Sequence, residues 1–188
     1  MKPTIYVFTG PPGCGKTTAV RIIAERLKAN GIPVGGMITN EVRSGGSRTG
    51  FELRDISTGE TALLAHVGEG APRVGKYVVF VSNLERLGVS AIIRAVEKGS
   101  LVIIDEVGPM ELFSQEFINS VEMTLKRSIA AIITVHFKSM HPLAQKVRRE
   151  ATRLIELRRG LPRHEFEGIT TEVSEEIASR FGQNVAGE

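Results

Sequence analysis

The chain has 188 residues, 41% hydrophobic and 24% charged, which is enough for one compact domain with a real core. Its formal net charge of +3 is too small to mark a nucleic-acid binder, and no apolar run approaches the length that spans a bilayer. The single cysteine, Cys14, cannot form an intramolecular disulfide and no signal peptide precedes the first strand, so a cytosolic protein is expected.

Thr4–Thr9 is a β-branched and aromatic stretch that predicts a buried strand. It runs straight into G-P-P-G-C-G-K-T, Gly10 to Thr17, and Thr18 to Lys28 then reads as a helix. Strand, glycine-rich turn and helix in that order make a phosphate-binding loop. Gly10, Gly13 and Gly15 let the backbone wrap close around phosphate, where a Cβ would obstruct. Successive N–H groups and the positive end of the helix hold the anion. Lys16 is expected to reach the β- and γ-phosphates, and the Thr17 hydroxyl to coordinate Mg²⁺. Thr18 either adds a hydroxyl on the α-phosphate side or caps the helix. Pro11, Pro12 and Cys14 complete the nucleotide-binding loop, with Cys14 read as a small residue that fits.

Asn30-Gly31 is a helix stop, and Val34 to Thr39 reads as a second strand. The strand–helix alternation then breaks. Thr49 to Ile56 and Thr61 to Val67 follow the two-residue strand period around the turn Ser57–Glu60, which predicts a β-hairpin inserted at about residues 42–68. Tyr77 to Val81 is a further extended piece. Asn83 to Lys98 reads as a helix with Ser82 as its cap.

Leu101-Val102-Ile103-Ile104 is a continuous apolar run, as a central parallel strand requires, and it ends in Asp105-Glu106. Helices are predicted for Glu111–Lys126, His141–Arg149 and Glu172–Phe181. Ile129–Val135 reads as a buried strand and Arg153–Leu157 as an edge strand. The fold class is therefore α/β, a mostly parallel sheet flanked by helices, in a single domain over residues 1–188. Phe8, Phe51, Phe80, Phe113, Phe117 and Phe137 are read as core.

Ligands of open α/β sheets bind at the carboxyl edge, so Asp105 and the loop should converge there. Asp105 would hold Mg²⁺ together with Thr17. Glu106 is then free to orient or deprotonate a water aimed at the γ-phosphate, or else it pairs with an arginine. Thr134 and His136 would join them if their strand lies between the first strand and that of Asp105. Lys138, Arg148 and Arg149, with Arg43, Arg48, Arg54 and Arg73 as rivals, could stabilise transition-state charge. The basic stretch Lys146–Arg163 reads as a solvated face rather than a nucleic-acid surface, because no aromatic residues interleave with it.

The loop G-P-P-G-C-G-K-T-T, the segment Arg48–Glu60, V-G-K-Y-V-V at Val74–Val79 and D-E-V-G-P-M-E-L at Asp105–Leu112 together resemble the THEP1 family of nucleoside-triphosphatases. The resemblance covers roughly residues 4 to 160. It implies a RecA-like P-loop domain and slow, Mg²⁺-dependent hydrolysis of ATP, GTP, CTP and UTP to diphosphate and phosphate. The family's acidic strand motif falls on Leu101, Val102, Ile103, Ile104, Asp105, Glu106, Val107 and Gly108, which makes these the second nucleotide-binding segment. Many members carry a lysine after this glycine; here it is Pro109. The resulting reading is a monomeric hydrolase with Lys16 and Glu106 as catalytic residues and Thr17 and Asp105 on the metal. The alternatives are a small-molecule or nucleotide kinase and a nucleic-acid-stimulated NTPase.

Overall fold

The computed structural model describes residues 2–185. Strand β1 (Thr4–Thr9) leads through the loop into helix α1 (Lys16–Ala29). Five strands follow with no helix between them: β2 (Val34–Ser44), β3 (Ser47–Asp55), β4 (Thr61–Val67), β5 (Arg73–Val74) and β6 (Tyr77–Val79). Helices α2 (Val81–Asn83) and α3 (Ser90–Glu97) are joined by the π-helical segment Leu84–Val89. Then come β7 (Leu101–Val107), α4 (Gln115–Arg127), β8 (Ala130–Val135), α5 (Pro142–Glu150), β9 (Arg153–Glu156) and α6 (Arg163–Val185).

These strands form one sheet in the order β5-β6-β4-β3-β2-β7-β8-β1-β9. From β2 to β9 every pairing is parallel. From β2 outward every pairing is antiparallel. The insertion therefore widens the core sheet instead of standing apart from it, with the outer half of β2 as its first arm. β8 lies between β1 and β7, the condition on which Thr134 and His136 could reach the loop.

The central strands are apolar on both faces because both faces are covered. Ile5, Val7, Val102, Ile104 and Ile133 share one core with Ile92 of α3, Phe117 of α4 and Val147 of α5. Tyr6, Phe8, Leu101, Ile103 and Ile132 share the other with Val20 and Ile23 of α1 and Val173 and Ile177 of α6. Each fully buried Phe, Ile or Leu contributes about 2 kcal/mol of transfer free energy. The two-residue strand period puts Asp105 on the α1 face with Leu101 and Ile103, and Thr134 on the same face with Ala130 and Ile132.

Several predicted boundaries move for local reasons. α1 starts at Lys16, with Gly15 at its N-cap in a left-handed conformation, so Thr18 lies inside the first turn and caps nothing. The helix after β6 begins at Val81 without a side-chain cap, so Ser82 is not one. The helix predicted from Glu111 is broken. Glu111–Phe113 is a 3-10 turn, and α4 starts beyond Ser114, whose hydroxyl accepts the Phe117 N–H at 3.0 Å. β7 runs three residues past Ile104, with a register shift against β8 between Ile104 and Val107. α6 begins at Arg163, nine residues before its predicted start at Glu172. Phe80, Phe113 and Phe137 are exposed rather than core, whereas Phe8 and Phe117 are fully buried.

β2 packs against β7 at Gly36, where φ is +102° and an added Cβ would lie 2.1 Å from the Ile103 carbonyl oxygen. Gly36→Ala is expected to cost about 3 kcal/mol from strain and strand separation. Urea denaturation measures it, and an unchanged midpoint would show that the two strands yield freely.

Candidate active site

The phosphate loop is shaped by contacts that only this sequence allows. A Cβ at Gly10 would stand 2.2 Å from the Leu157 carbonyl oxygen and 2.7 Å from Cys14 Sγ. Cys14 is buried, so it packs the loop from behind. Lys16 Nζ donates to the Gly10 carbonyl at 2.8 Å and the Pro11 carbonyl at 3.4 Å, which folds the ammonium back over the loop. α1 starts here and directs its free N–H groups at the same place. Pro12, Gly13, Gly15, Lys16, Thr17 and Thr18 line a cleft of about 820 Å³.

Asp105 stands opposite. The Thr17 hydroxyl donates to its Oδ2 at 2.9 Å, and the Thr134 hydroxyl donates to its Oδ1 at 2.6 Å. The Thr39 hydroxyl donates to its carbonyl oxygen at 2.6 Å. Burial pushes the Asp105 carboxyl up, while the Thr134 and Thr17 hydroxyls, the Thr39 amide and the Lys16 ammonium pull it back. A buried carboxylate beside a hydroxyl is a hard oxygen donor set. That suits a divalent cation whose remaining ligands are phosphates and water, as for Mg²⁺. Among the described residues no group of three or more His, Cys, Asp or Glu side chains could hold a metal alone.

Glu106 and His136 line the same cleft. Burial, then the neighbouring Asp105 charge, pushes Glu106 up to about 7, against the pull of Lys16. No ion pair involves Glu106 among the described residues. Leu101, Val102, Ile103, Ile104 and Val107 are different: their side chains are wholly buried and none lines the cleft. Their part is the strand that carries Asp105. At Gly108 a Cβ would lie 2.9 Å from Glu106 Oε1 and 3.0 Å from Glu111 Oε2, so glycine leaves room for two carboxyl groups.

Glu111 escaped the sequence reading, where it passed for a first-turn helix acid. It is buried in the cleft wall, and burial followed by repulsion from Glu106 pushes it up to about 8. Its folded-state pKa lies above the ordinary carboxyl value. The bound proton therefore favours the folded protein at acid pH, and that stabilisation is lost as pH rises through about 8. Glu111→Gln is expected to raise Tm by several degrees at pH 9 and to change it little at pH 5. A lower Tm at both pH values would mean that Glu111 makes contacts a neutral isostere cannot.

Of the candidate cations only Arg48 lines the cleft, joined by Arg21 of α1, which the sequence reading missed. Arg21 bonds Asn40. Arg148 is held by the carbonyls of His136, Phe137 and Ser139. Apart from Arg149, the rest of the basic stretch is similarly engaged. Lys146 pairs with Glu122, Arg153 with Glu172 and Glu176, Arg158 with Glu165, and Arg163 with Glu167. Arg159 donates to the Pro12 carbonyl and so braces the phosphate loop. Among the described residues no helix is long and apolar enough to cross a membrane.

The family profile described as NTPase matches residues 5–161, the stretch that holds both the loop and the acidic strand. The Nucleoside-triphosphatase THEP1 of Thermofilum pendens is 53% identical over 132 residues, covering 70% of this chain and 72% of its own. That of Methanopyrus kandleri is 44% identical over 156 residues, covering 83% and 86%. The crystal structure of THEP1 from Aquifex aeolicus superposes with a TM-score of 0.73 at 30% identity, covering 88% of this chain and 96% of that one. The solution structure of a human cancer-related nucleoside triphosphatase gives 0.75 at 32% identity, covering 94% and 98%. With its matched stretch spanning every element that builds the cleft, the chain belongs to the NTPase family, among relatives named nucleoside-triphosphatase THEP1.

Proposed function

We propose that the chain is a nucleoside-triphosphate phosphohydrolase whose chemistry lies between the phosphate loop and the end of β7. The observation that carries this reading is the junction of Thr17, Asp105 and Thr134, with Lys16 and Glu106 in the same cleft. Lys16 and the loop amides bind the phosphates and offset charge that builds on the β–γ bridging oxygen. Thr17 and Asp105 would hold Mg²⁺, which would supply positive charge against the phosphates. Glu106 orients a water and takes its proton as the water oxygen bonds to the γ-phosphorus. The electron pair of the broken bond leaves with the diphosphate.

Every group in this set touches phosphate or water, which supports hydrolysis of ATP, GTP, CTP and UTP alike. The expected turnover is slow. A free guanidinium aimed at the transition state is worth about 10³–10⁵ in rate, and here the two arginines that line the cleft are engaged, Arg21 with Asn40 and Arg48 with Tyr77 and Glu41. A monomer acting in the cytosol completes the reading.

The test is phosphate release from each of the four triphosphates, with Mg²⁺ and with excess EDTA. Release from all four, abolished by EDTA, is expected. Intact nucleotide binding without phosphate release would overturn the hydrolase reading, and release from one nucleotide alone would overturn its breadth.

A further inference from the structure

The nucleoside of the substrate has two ways out from the phosphate loop. One leads past the end of β7 toward the inserted strands. There an anionic chain of phosphates would have to pass the carboxyl groups of Asp105, Glu106 and Glu111, which line that wall. The other leads away from those acids. The sheet order β7-β8-β1-β9 places the turn between β9 and α6 on that side, beyond β1 and its loop. Resting on the hydrolase reading, which sets the γ-phosphate at Asp105 and Glu106, we propose that the nucleoside leaves on the β9 side and that its base stacks on the guanidinium of Arg159.

Two side chains from this segment touch the loop itself. Arg159 donates to the Pro12 carbonyl from Nε at 3.0 Å and from Nη2 at 2.8 Å. Two bonds to one oxygen fix the plane of the guanidinium, yet the residue is exposed. A planar cation held in this way stacks on a heteroaromatic ring. Phe166 meets the loop at Gly15, where its ring edge would stand 3.2 Å from an added Cβ, and so backs the turn that leads into Lys16. The segment is anchored on both sides. Arg158 pairs with Glu165 at 3.3 Å, and Arg26 of α1 donates to the Thr170 and Thr171 hydroxyls of α6 at 3.1 and 3.0 Å. Val173 and Ile177 pack with Val20 and Ile23 along the same seam. The platform is therefore set before nucleotide arrives.

The contact that Arg159 offers is to the face of the base. Every base has such a face, so stacking holds purines and pyrimidines alike. This fits an enzyme that takes all four nucleoside triphosphates. The bond to Pro12 also joins the base contact to the loop that binds the phosphates, so both ends of the nucleotide are held by one unit. Arg159 is then a substrate-binding residue as well as a brace of the loop.

The experiment is calorimetric titration of the full chain with Mg²⁺. The ligands are the β,γ-imido analogues of ATP, GTP, CTP and UTP, with inorganic tripolyphosphate as the probe that has no nucleoside. The analogues are not hydrolysed, so the result is independent of turnover. Wild type is compared with Arg159→Lys, which keeps a cation able to donate to the Pro12 carbonyl but removes the plane. The variant is expected to bind all four analogues about tenfold more weakly, the scale of one lost base-stacking contact, and tripolyphosphate within about twofold of wild type. Equal weakening of the analogues and tripolyphosphate would reduce Arg159 to a brace of the loop and overturn the proposal. Unchanged affinity for the analogues would place the base elsewhere and overturn it too. So would a loss confined to one base, which marks a contact to a ring edge instead of a face. Expected binding in a wild type that releases no phosphate from ATP would overturn the hydrolase reading alone.

Discussion

Lys16→Ala is expected to lose nucleotide binding and turnover together. The ammonium already donates to the Gly10 and Pro11 carbonyls, so it is positioned at the loop before any phosphate arrives. A hydrogen bond to a charged group is worth about 1.5–3 kcal/mol, and two of them to phosphate oxygens make about 3–6 kcal/mol. The dissociation constant for ATP should therefore rise at least about a hundredfold. Titration with a fluorescent nucleotide measures it directly. The loop carbonyls that lose their donor lie beside the open cleft, where water replaces it, so Tm should shift little. Affinity within tenfold of wild type would mean that the loop amides alone hold the phosphates.

Glu106→Gln should separate the two functions that Lys16→Ala removes at once. The amide keeps the shape of the carboxyl group but cannot accept the proton of the attacking water. Binding should be unchanged, and kcat should fall about 10²–10⁴-fold. The pH profile gives a second reading. Burial and Asp105 push Glu106 up to about 7, and the carboxylate is the form that accepts a proton. In the wild type kcat/KM should therefore rise with pH through about 7 and level off above it. In Glu106→Gln that rise should vanish. Turnover at the wild-type rate would remove Glu106 from the chemistry. A rise that persists in the mutant would assign it to another titratable group of the cleft, such as Asp105, Glu111 or His136.

The sequence by itself determined the elements whose signal is local. A glycine-rich turn between an apolar strand and a helix has few other uses, so Gly10 to Thr17 was legible as a phosphate-binding loop. The run Leu101–Ile104 could lie only in a strand covered on both faces, and the acids that follow had to sit at its carboxyl end. The edge strand was expected over Arg153–Leu157 and runs over Arg153–Glu156. Boundaries moved where a tertiary contact outweighed propensity. Glu111 is a good helix former, but it lies in a 3-10 turn because Ser114 caps α4 three residues later. The start of α6 contains Gly168 and threonines that weaken a helical pattern, and packing of Val173 and Ile177 on the α1 side sustains the helix.

Only the tertiary structure decided which distant residues share the cleft. Thr39 and Thr134 meet Asp105 because β2 and β8 flank β7, and strand order is not written in any local spacing. Glu111 faces Glu106 because Gly108 has no side chain to stand between them. In the sequence Arg48 falls in the turn before the strand Thr49–Ile56, Phe51 within that strand and Tyr77 at the start of a separate extended piece. They form one wall because β3, β4 and β6 pair in order, which carries both rings and the guanidinium to the same cleft. Local patterns specify the backbone period and the chemistry of single loops. The partners of a side chain across a sheet follow from strand order and register, which depend on the packing of the whole chain.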